Sequence, residues 1–382
     1  MNKHFKNIEI NEDSQLIMDI YGLDTSIVNS FRRIVLSDVL CNAFDNVEIE
    51  KNTSIINNEI LSHRFGLIPL TIDELDNVCV ELNVKNTGYD KINITSSDLK
   101  VISGELKIIP NILLVELKRG EEIKAKLYTS KKSGKIHAKY QPTSVCCFKI
   151  QEDVSIHNDI WKKLSTRQKN KLRKLCIKEL PLTGTHYLDK NSVGTYGFRE
   201  HFKNTPETIK EYIENYLLKC KIPETDVKNK SVIFQPQYCN KNLVYKFRME
   251  PHLVNPYKIF SAILEKLHEK ISDLQNKDIE IIDTDNETGV CFEIKNESHT
   301  IGNILSTELQ QDSRVKYSYY KMKHPFIRSI MLYIILENEN ENGKEVYAKI
   351  LADAFKRVLS LCMNLQKEWN QILKEVMEII EI

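Results

Sequence analysis

Histidine and cysteine give this 382-residue chain the nearest thing it has to a catalytic pattern. His63 and His137 precede the adjacent pair Cys146 and Cys147, and a thiol beside an imidazole base is the minimum for a nucleophilic cysteine. The spacing matches no Cys–His signature, since such signatures depend on fixed local neighbours. An enzyme that uses His137 with one of these thiols is kept as an alternative, and no catalytic residue is assigned.

Metal and phosphate chemistry also lack a local motif. Cys220 and Cys239 would have to converge with His186 or His201 to bind zinc, but the closely paired ligands of structural zinc sites are missing. The chain has no glycine-rich phosphate loop. It has no paired-aspartate motif for catalytic magnesium. We therefore expect no metal and no cofactor in this chain.

The overall charge argues against a free-standing nucleic-acid binder, because Lys and Arg total 54 against 53 Asp and Glu. Two local stretches are nevertheless basic, Lys118–Lys139 and Trp161–Lys178, and a nucleic-acid-binding module that uses both is the alternative function. Nine scattered cysteines without a CxxC pair indicate a reducing, intracellular compartment. No apolar run is long enough to cross a bilayer, so no membrane partner is expected.

Short alternations of apolar and polar residues predict strands along the whole chain. They are Phe5–Ile10, Leu16–Ile20, Val47–Glu50, Val78–Val84, Glu122–Leu127, Val145–Ile150, Leu243–Met249, Ile279–Ile282, Val290–Ile294, Val315–Tyr320 and Ile330–Leu336. Gly66 and Pro69 punctuate Leu61–Leu70, which is predicted to be an ordered loop.

Helical spacing of apolar residues predicts the helices that lie between these strands. They are Asp24–Leu40, Trp161–Leu180, Pro256–Leu274, Thr300–Gln311 and a long helix from about Lys344. The apolar stripe of the last helix is too long to bury in one small domain, which favours packing against a partner helix. Ser26-Ile27-Val28-Asn29 and Thr300-Ile301-Gly302-Asn303 open two helices in the same structural slot, which suggests two related halves.

Several segments resemble the alpha-like assembly family of multisubunit RNA polymerases, which includes the bacterial alpha subunit, the archaeal D subunit and the third-largest subunit of eukaryotic RNA polymerase II. The N-terminal matches are Asn29-Ser30-Phe31-Arg32-Arg33-Ile34, Val47-Glu48-Ile49, Asn52-Thr53-Ser54, His63-Arg64-Phe65-Gly66-Leu67-Ile68-Pro69-Leu70 and Gly134-Lys135-Ile136-His137-Ala138-Lys139-Tyr140-Gln141-Pro142. The C-terminal part is similar to the smaller partner, the archaeal L subunit and its eukaryotic counterparts. Its matches are Glu297-Ser298-His299-Thr300-Ile301-Gly302-Asn303-Ile304-Leu305, Arg314-Val315 and Tyr319-Tyr320-Lys321-Met322-Lys323-His324-Pro325.

The resemblance implies an α+β fold in which two related alpha-like dimerisation domains pair through a helical bundle. The first domain would comprise residues 1–74 with 241–275, an inserted mixed α/β domain residues 75–240, and the second, smaller domain residues 276–382. Gln151–Asn240 matches poorly and lacks the clustered cysteines that hold a metal in some family members. A fusion of both partners in one chain is similar to what certain large cytoplasmic DNA viruses encode.

The implied function is a non-catalytic assembly subunit of DNA-directed RNA polymerase, which docks the second-largest subunit and through it the largest. Other small polymerase subunits are further expected partners, while DNA and RNA are contacted only indirectly through the complex. The expected docking residues are Arg32, Arg33, His63, Arg64, Lys135, His137 and Lys139. The expected dimerisation residues are Ile27, Phe31, Ile34, Ile263, Leu267, Ile301, Leu305, Phe355, Val358, Cys362 and Leu365. The expected location is intracellular: the host cytoplasm and virion for a viral protein, the nucleus for a cellular one.

Overall fold

The computed structural model describes residues 4–380 except 13, 74, 76–77, 151, 157–163, 169–216, 220–231, 237–243, 253, 276–278, 283–288, 325 and 339–342. In chain order the elements are β1 (Phe5–Ile10), β2 (Leu16–Tyr21), α1 (Thr25–Ser37), β3 (Leu40–Asn52), α2 (Asn58–Gly66), β4 (Cys79–Lys85), β5 (Ile92–Thr95), β6 (Lys100–Ser103), β7 (Leu113–Leu117), β8 (Glu122–Ser133), β9 (Thr143–Ile150), β10 (Glu152–Ile156), β11 (Val232–Pro236), β12 (Val244–Pro251), α3 (Pro256–Gln275), β13 (Glu280–Ile282), β14 (Val290–Lys295), α4 (His299–Gln310), β15 (Val315–His324), β16 (Ile327–Leu336) and α5 (Lys344–Ile380).

The chain divides into two compact units. The first contains Met1–Phe148 with Phe247–Ile382, and the second contains Lys149–Lys246, where β10 and β11 form an antiparallel pair. Residues 75–148, which the sequence assigned to an inserted domain, pack with the first unit. The division into two units does not test the three predicted domains, whose boundaries stay a prediction. The expected helix at Trp161–Leu180 lies almost entirely outside the described residues.

One architecture occurs twice in the first unit. The sheet order β1-β2-β12-β9 is repeated as β13-β14-β16-β15. In the first copy α1 follows β2 and α3 follows β12, and in the second copy α4 follows β14 and α5 follows β16. Gly22 and Asn296 occupy the equivalent turn before α1 and α4, and both have φ of 65°. This left-handed conformation is easiest for glycine and next easiest for asparagine. The suggestion of two related halves is thus supported by topology and by backbone conformation.

The beginning of α1 follows from its cap and its spacing. The Asp24 carboxylate accepts a hydrogen bond from the Ser26 backbone N–H at 2.7 Å, which satisfies one of the unpaired donors of the first turn. Ile27, Phe31 and Ile34 then recur on one face and are buried. The helix ends at Ser37 rather than Leu40, because Leu40 already begins β3.

The prediction of a loop over Leu61–Leu70 is wrong, because Asn58–Gly66 forms α2. Leu61 and Phe65 are one helical turn apart and enter the core formed with the sheet β3-β8-β4-β6 and the pair β5-β7. Glu59 in the first turn and basic residues in the last complement the helix dipole. Gly66 and Pro69 therefore punctuate the end of a short helix. None of the described helices combines the length and apolar character that crossing a membrane requires.

Candidate functional site

Four helices meet where the two repeated halves join. Helix α1 contacts α3 and α4, and α5 contacts α3 and α4, so each half contributes two helices to one helical junction. All eleven residues expected to mediate dimerisation are buried: Ile27, Phe31, Ile34, Ile263, Leu267, Ile301, Leu305, Phe355, Val358, Cys362 and Leu365. Their burial fits the expected role, although the role itself stays a prediction.

Trp369 of α5 is the largest side chain at this junction, and it is fully buried against the first half. Its ring centroid lies 4.5 Å from that of Phe260 and 5.4 Å from that of Phe5. Its indole N–H donates to the backbone carbonyl of Tyr257 at 3.2 Å. Trp369 belongs to the apolar stripe of the long C-terminal helix, but sequence reasoning did not select it as a site residue, because a stripe does not reveal which member reaches another domain.

A partly buried ion network links the same two halves. Lys270 of α3 lies 3.2 Å from a carboxylate oxygen of Asp38 at the end of α1 and 3.4 Å from one of Glu297, just before α4. The three side chains are only 15%, 16% and 12% exposed. Burial raises the pKa of Glu297, although the Lys270 ammonium opposes this shift. Sequence reasoning missed this network, since its members lie on separate elements.

The two arginines of α1 differ in their surroundings. Arg33 donates from Nε to the Thr300 hydroxyl at 2.7 Å, so its half-buried side chain faces the first turn of α4. Arg32 is also half-buried and donates to the Asn29 side-chain oxygen at 3.0 Å. Neither arginine is fully exposed, and Arg33 contributes a contact between the halves.

Two of the N-terminal segments that carry the resemblance, those around His63 and His137, lie side by side in space. The rings of His63 in α2 and His137 have centroids 5.8 Å apart. The loop that contains His137 is also held against α1, because the Lys135 backbone N–H donates to the Ser37 carbonyl at 3.0 Å. A Cβ on Gly134 would lie 2.1 Å from the Leu36 carbonyl oxygen, so only glycine permits this approach.

Lys139 anchors this loop. Its ammonium lies 2.6 Å from a carboxylate oxygen of Asp45 and 3.2 Å from the Phe44 carbonyl, and its side chain is 15% exposed. Burial alone would raise the pKa of Asp45, but hydrogen bonds from Lys132, Lys139 and Ser130 hold it well below its usual range. The described contacts of Lys139 therefore fix the loop, while Lys135 and His137 are exposed.

One face of α2 adds apolar residues to these basic ones. Ile60, His63, Arg64 and Leu67 recur at helical spacing and are all exposed, with Ile60 at 51% and Leu67 at 50%. Ile136, next to His137, is 66% exposed. We call these five residues, with Lys135 and His137, the α2 surface. Sequence reasoning missed its three apolar members, since a lone Ile or Leu gives no sign of being exposed.

Of the two thiols in the alternative catalytic site, Cys146 is buried and unfavourable for nucleophilic chemistry. Burial raises the pKa of the Cys146 thiol to about 12, whereas a nucleophilic cysteine needs a lowered pKa. The zinc candidates Cys220, Cys239, His186 and His201 lie outside the described residues. Among the residues that the structure describes, no three His, Cys, Asp or Glu side chains are grouped to hold a metal ion.

Residues 290–368 match the RNA polymerase Rpb3/Rpb11 dimerisation domain. This segment contains β14, α4, β15, β16 and most of α5, so the match covers most of the second repeated half. Of the four helices at the junction, α4 lies inside the matched segment and α5 partly inside it, while α1 and α3 lie outside.

Those longer relatives are RNA polymerase subunits from several lineages. The chain is 26% identical over 301 residues to DNA-directed RNA polymerase II subunit rpb3 of Dictyostelium discoideum, covering 71% of this chain and 93% of the relative. It is 34% identical over 172 residues to subunit Rpo3 of Thermococcus kodakarensis, covering 42% of this chain and 65% of the relative. It is 30% identical over 205 residues to subunit 3 of RNA polymerases II, IV and V of Arabidopsis thaliana, covering 44% and 64%. The resemblance to this family is confirmed, while the fusion and the viral source stay predictions.

Proposed function

We propose that this relative of DNA-directed RNA polymerase subunit 3 is a non-catalytic assembly subunit that carries both members of an alpha-like pair in one chain. The observation that carries the proposal is the repeated four-stranded sheet with two helices, whose copies meet through α1, α3, α4 and α5. Relatives named as polymerase subunits support the same conclusion. The polymerase is then the enzyme, and this chain supplies its platform.

Fusion of the two halves has a direct thermodynamic consequence. Helices α3 and α5 lie in different halves but share the buried contacts of Trp369, so association of the halves buries apolar surface. A covalent link converts this association from a bimolecular step into an intramolecular one at high effective concentration. It also fixes the ratio of the two halves at one to one.

The α2 surface is the proposed docking site for the second-largest subunit. It combines exposed apolar side chains with Arg64, Lys135 and the two histidines, and it is rigidly supported through Lys139 and Asp45. Apolar residues bordered by cations suit a protein partner with an apolar contact and acidic rim. Arg64 also donates to the Leu114 carbonyl, which orients its guanidinium.

Catalysis, metal binding and nucleic-acid contact are assigned to the other subunits. The alternative nucleic-acid module is less favoured, because four of the eight basic residues in Lys118–Lys139 lie beside acids. Lys124 and Lys126 approach Glu50, and Lys132 and Lys139 approach Asp45. The second stretch, Trp161–Lys178, lies almost entirely outside the described residues. As a subunit of an RNA polymerase, the protein would be intracellular.

Co-purification with a matched control tests the docking site. Arg64→Glu with Leu67→Asp should leave the chain folded but strongly reduce recovery of the second-largest subunit from cells that express the polymerase. The control is Lys100→Glu with Ile102→Asp on β6, where Ile102 is 59% exposed. Equal recovery with both double variants, at low and high salt, would remove the α2 surface from the proposal.

A further inference from the structure

Strand β15 forms one edge of the sheet β13-β14-β16-β15. An edge strand presents a row of backbone N–H and C=O groups to its surroundings, and an extended segment of another chain can pair with them. This edge belongs to the second half, whereas the α2 surface belongs to α2 and the His137 loop, so the two are separate regions.

Gln310 of α4 covers only the beginning of the edge. Its side-chain amide donates to the Lys316 carbonyl at 3.1 Å, and its oxygen accepts from the Ser318 N–H at 2.9 Å. The Ser318 N–H therefore points away from β16. Because backbone direction alternates along an antiparallel strand, Tyr320 and Met322 direct their N–H and C=O groups off the same edge. The Gln310 cap ends before these two residues.

Large apolar side chains are exposed along this edge and at the end of the hairpin. Tyr317 is 58% exposed, Tyr319 40% and Ile327 49%. Phe326, between β15 and β16, is 92% exposed. A fully exposed aromatic ring next to an open strand edge is typical of an interaction site, because aromatic residues anchor protein interfaces.

The charge of the hairpin selects the partner. Residues 315–336 contain four cations and no Asp or Glu: Lys316, Lys321, Lys323 and Arg328. Lys323 lies 3.1 Å from a carboxylate oxygen of the buried Glu293, which is on β14, the strand on the other side of β16. The hairpin itself contributes only cations. A second copy of this hairpin would oppose like charges across the new pair, which is destabilising. A nucleic acid would match the charge but would leave the outward backbone groups without a strand partner.

We propose that β15 receives an extended acidic segment of another protein chain, which adds to the sheet beside Tyr320 and Met322 while Phe326 contacts its apolar residues. The inference rests on the proposed function, since the partner segment belongs to another subunit of the same polymerase. It assigns the second half a docking mode of its own, based on backbone pairing.

Hydrogen exchange resolved to single amides tests this pairing. In the isolated full chain, the amides of Tyr320 and Met322 should exchange faster than those of Tyr319 and Lys321, which face β16. In the polymerase purified through a tag on this chain, Tyr320 and Met322 should slow by at least about tenfold, as expected for new strand hydrogen bonds. Unchanged exchange in a complex that contains the large subunits would overturn the inference and leave the proposed function intact. Failure to recover those subunits at all would contradict the proposed function.

Charge variants identify the occupant. Lys321→Glu with Arg328→Glu should abolish the protection of Tyr320 and Met322, whereas the control Lys100→Glu with Lys107→Glu should retain it. Protection that survives the first pair would refute the acidic partner. Protection lost after nuclease treatment would identify a nucleic acid, and protection that grows with concentration of the isolated chain would identify a second copy. Either result would overturn the proposal.

Discussion

Replacing Trp369 by alanine should separate the two halves more than it unfolds either one. Trp369 lies on α5, but its described contacts, Phe5, Phe260 and the Tyr257 carbonyl, all belong to the first half. Truncation of a buried Trp costs about 3–5 kcal/mol. The indole hydrogen bond is lost as well, although the Tyr257 carbonyl still accepts from the Ser261 hydroxyl at 3.2 Å.

The assay uses the folded chain with a protease site inserted at residues 276–278, between α3 and β13. After cleavage, dissociation of the two pieces reports the free energy that holds the halves together. A loss of about 4 kcal/mol corresponds to a roughly thousandfold weaker association. Trp369→Phe, which keeps a ring but removes the N–H, is the matched control and should weaken association much less.

The opposite result is equally clear. If cleaved Trp369→Ala protein stays together as tightly as the cleaved original while its C-terminal piece unfolds more easily, α5 serves mainly its own sheet. The assignment of α5 to the junction would then be wrong.

Three further experiments test individual contacts. A double-mutant cycle of Lys270→Met and Glu297→Gln should give a coupling energy of about 0.5–3 kcal/mol in urea unfolding, whereas additive effects would show that this ion pair does not couple the halves. Gly302→Ala should lower stability by about 1–3 kcal/mol, because the new Cβ would lie 2.5 Å from the Tyr320 ring, and an unchanged unfolding midpoint would contradict this packing. The pKa of Asp45 is lower in the folded chain than its value of about 3.9 in the unfolded chain. Ionised Asp45 therefore stabilises the fold at pH values above about 3.9, and this contribution is lost as the pH falls from there toward the folded pKa. Asp45→Asn should therefore flatten the acid limb of the stability profile, and an identical limb would refute that role.

Most elements could be predicted because their burial follows a simple period. Ile263, Leu267 and Ile271 recur at helical spacing and are buried, and every second residue of Glu122–Leu127 in β8 is buried. Helix α2 was missed because it is short and ends at Gly66, and a glycine is typical both of a helix end and of a loop. The local sequence pattern predicts such short helices poorly, because tertiary packing stabilises them. In α2 this packing comes from Leu61 and Phe65 in the core.

The candidate site was less accessible to sequence reasoning, because it depends on which elements meet. The motifs around His63 and His137 were found separately, but their contact is a property of the folded chain. Lys139 belonged to a basic stretch, yet Asp45 on β3 neutralises its charge. The fold thus divides one run of similar cations into a structural anchor and an exposed surface.

Purification of the full-length tagged chain from its native source tests the central claim most directly. An assembly subunit should elute with two very large polypeptides in equal molar amount and with DNA-directed RNA polymerase activity that the isolated chain lacks. A chain that elutes without large partners at low salt, or with nucleic acid alone, would contradict the assignment.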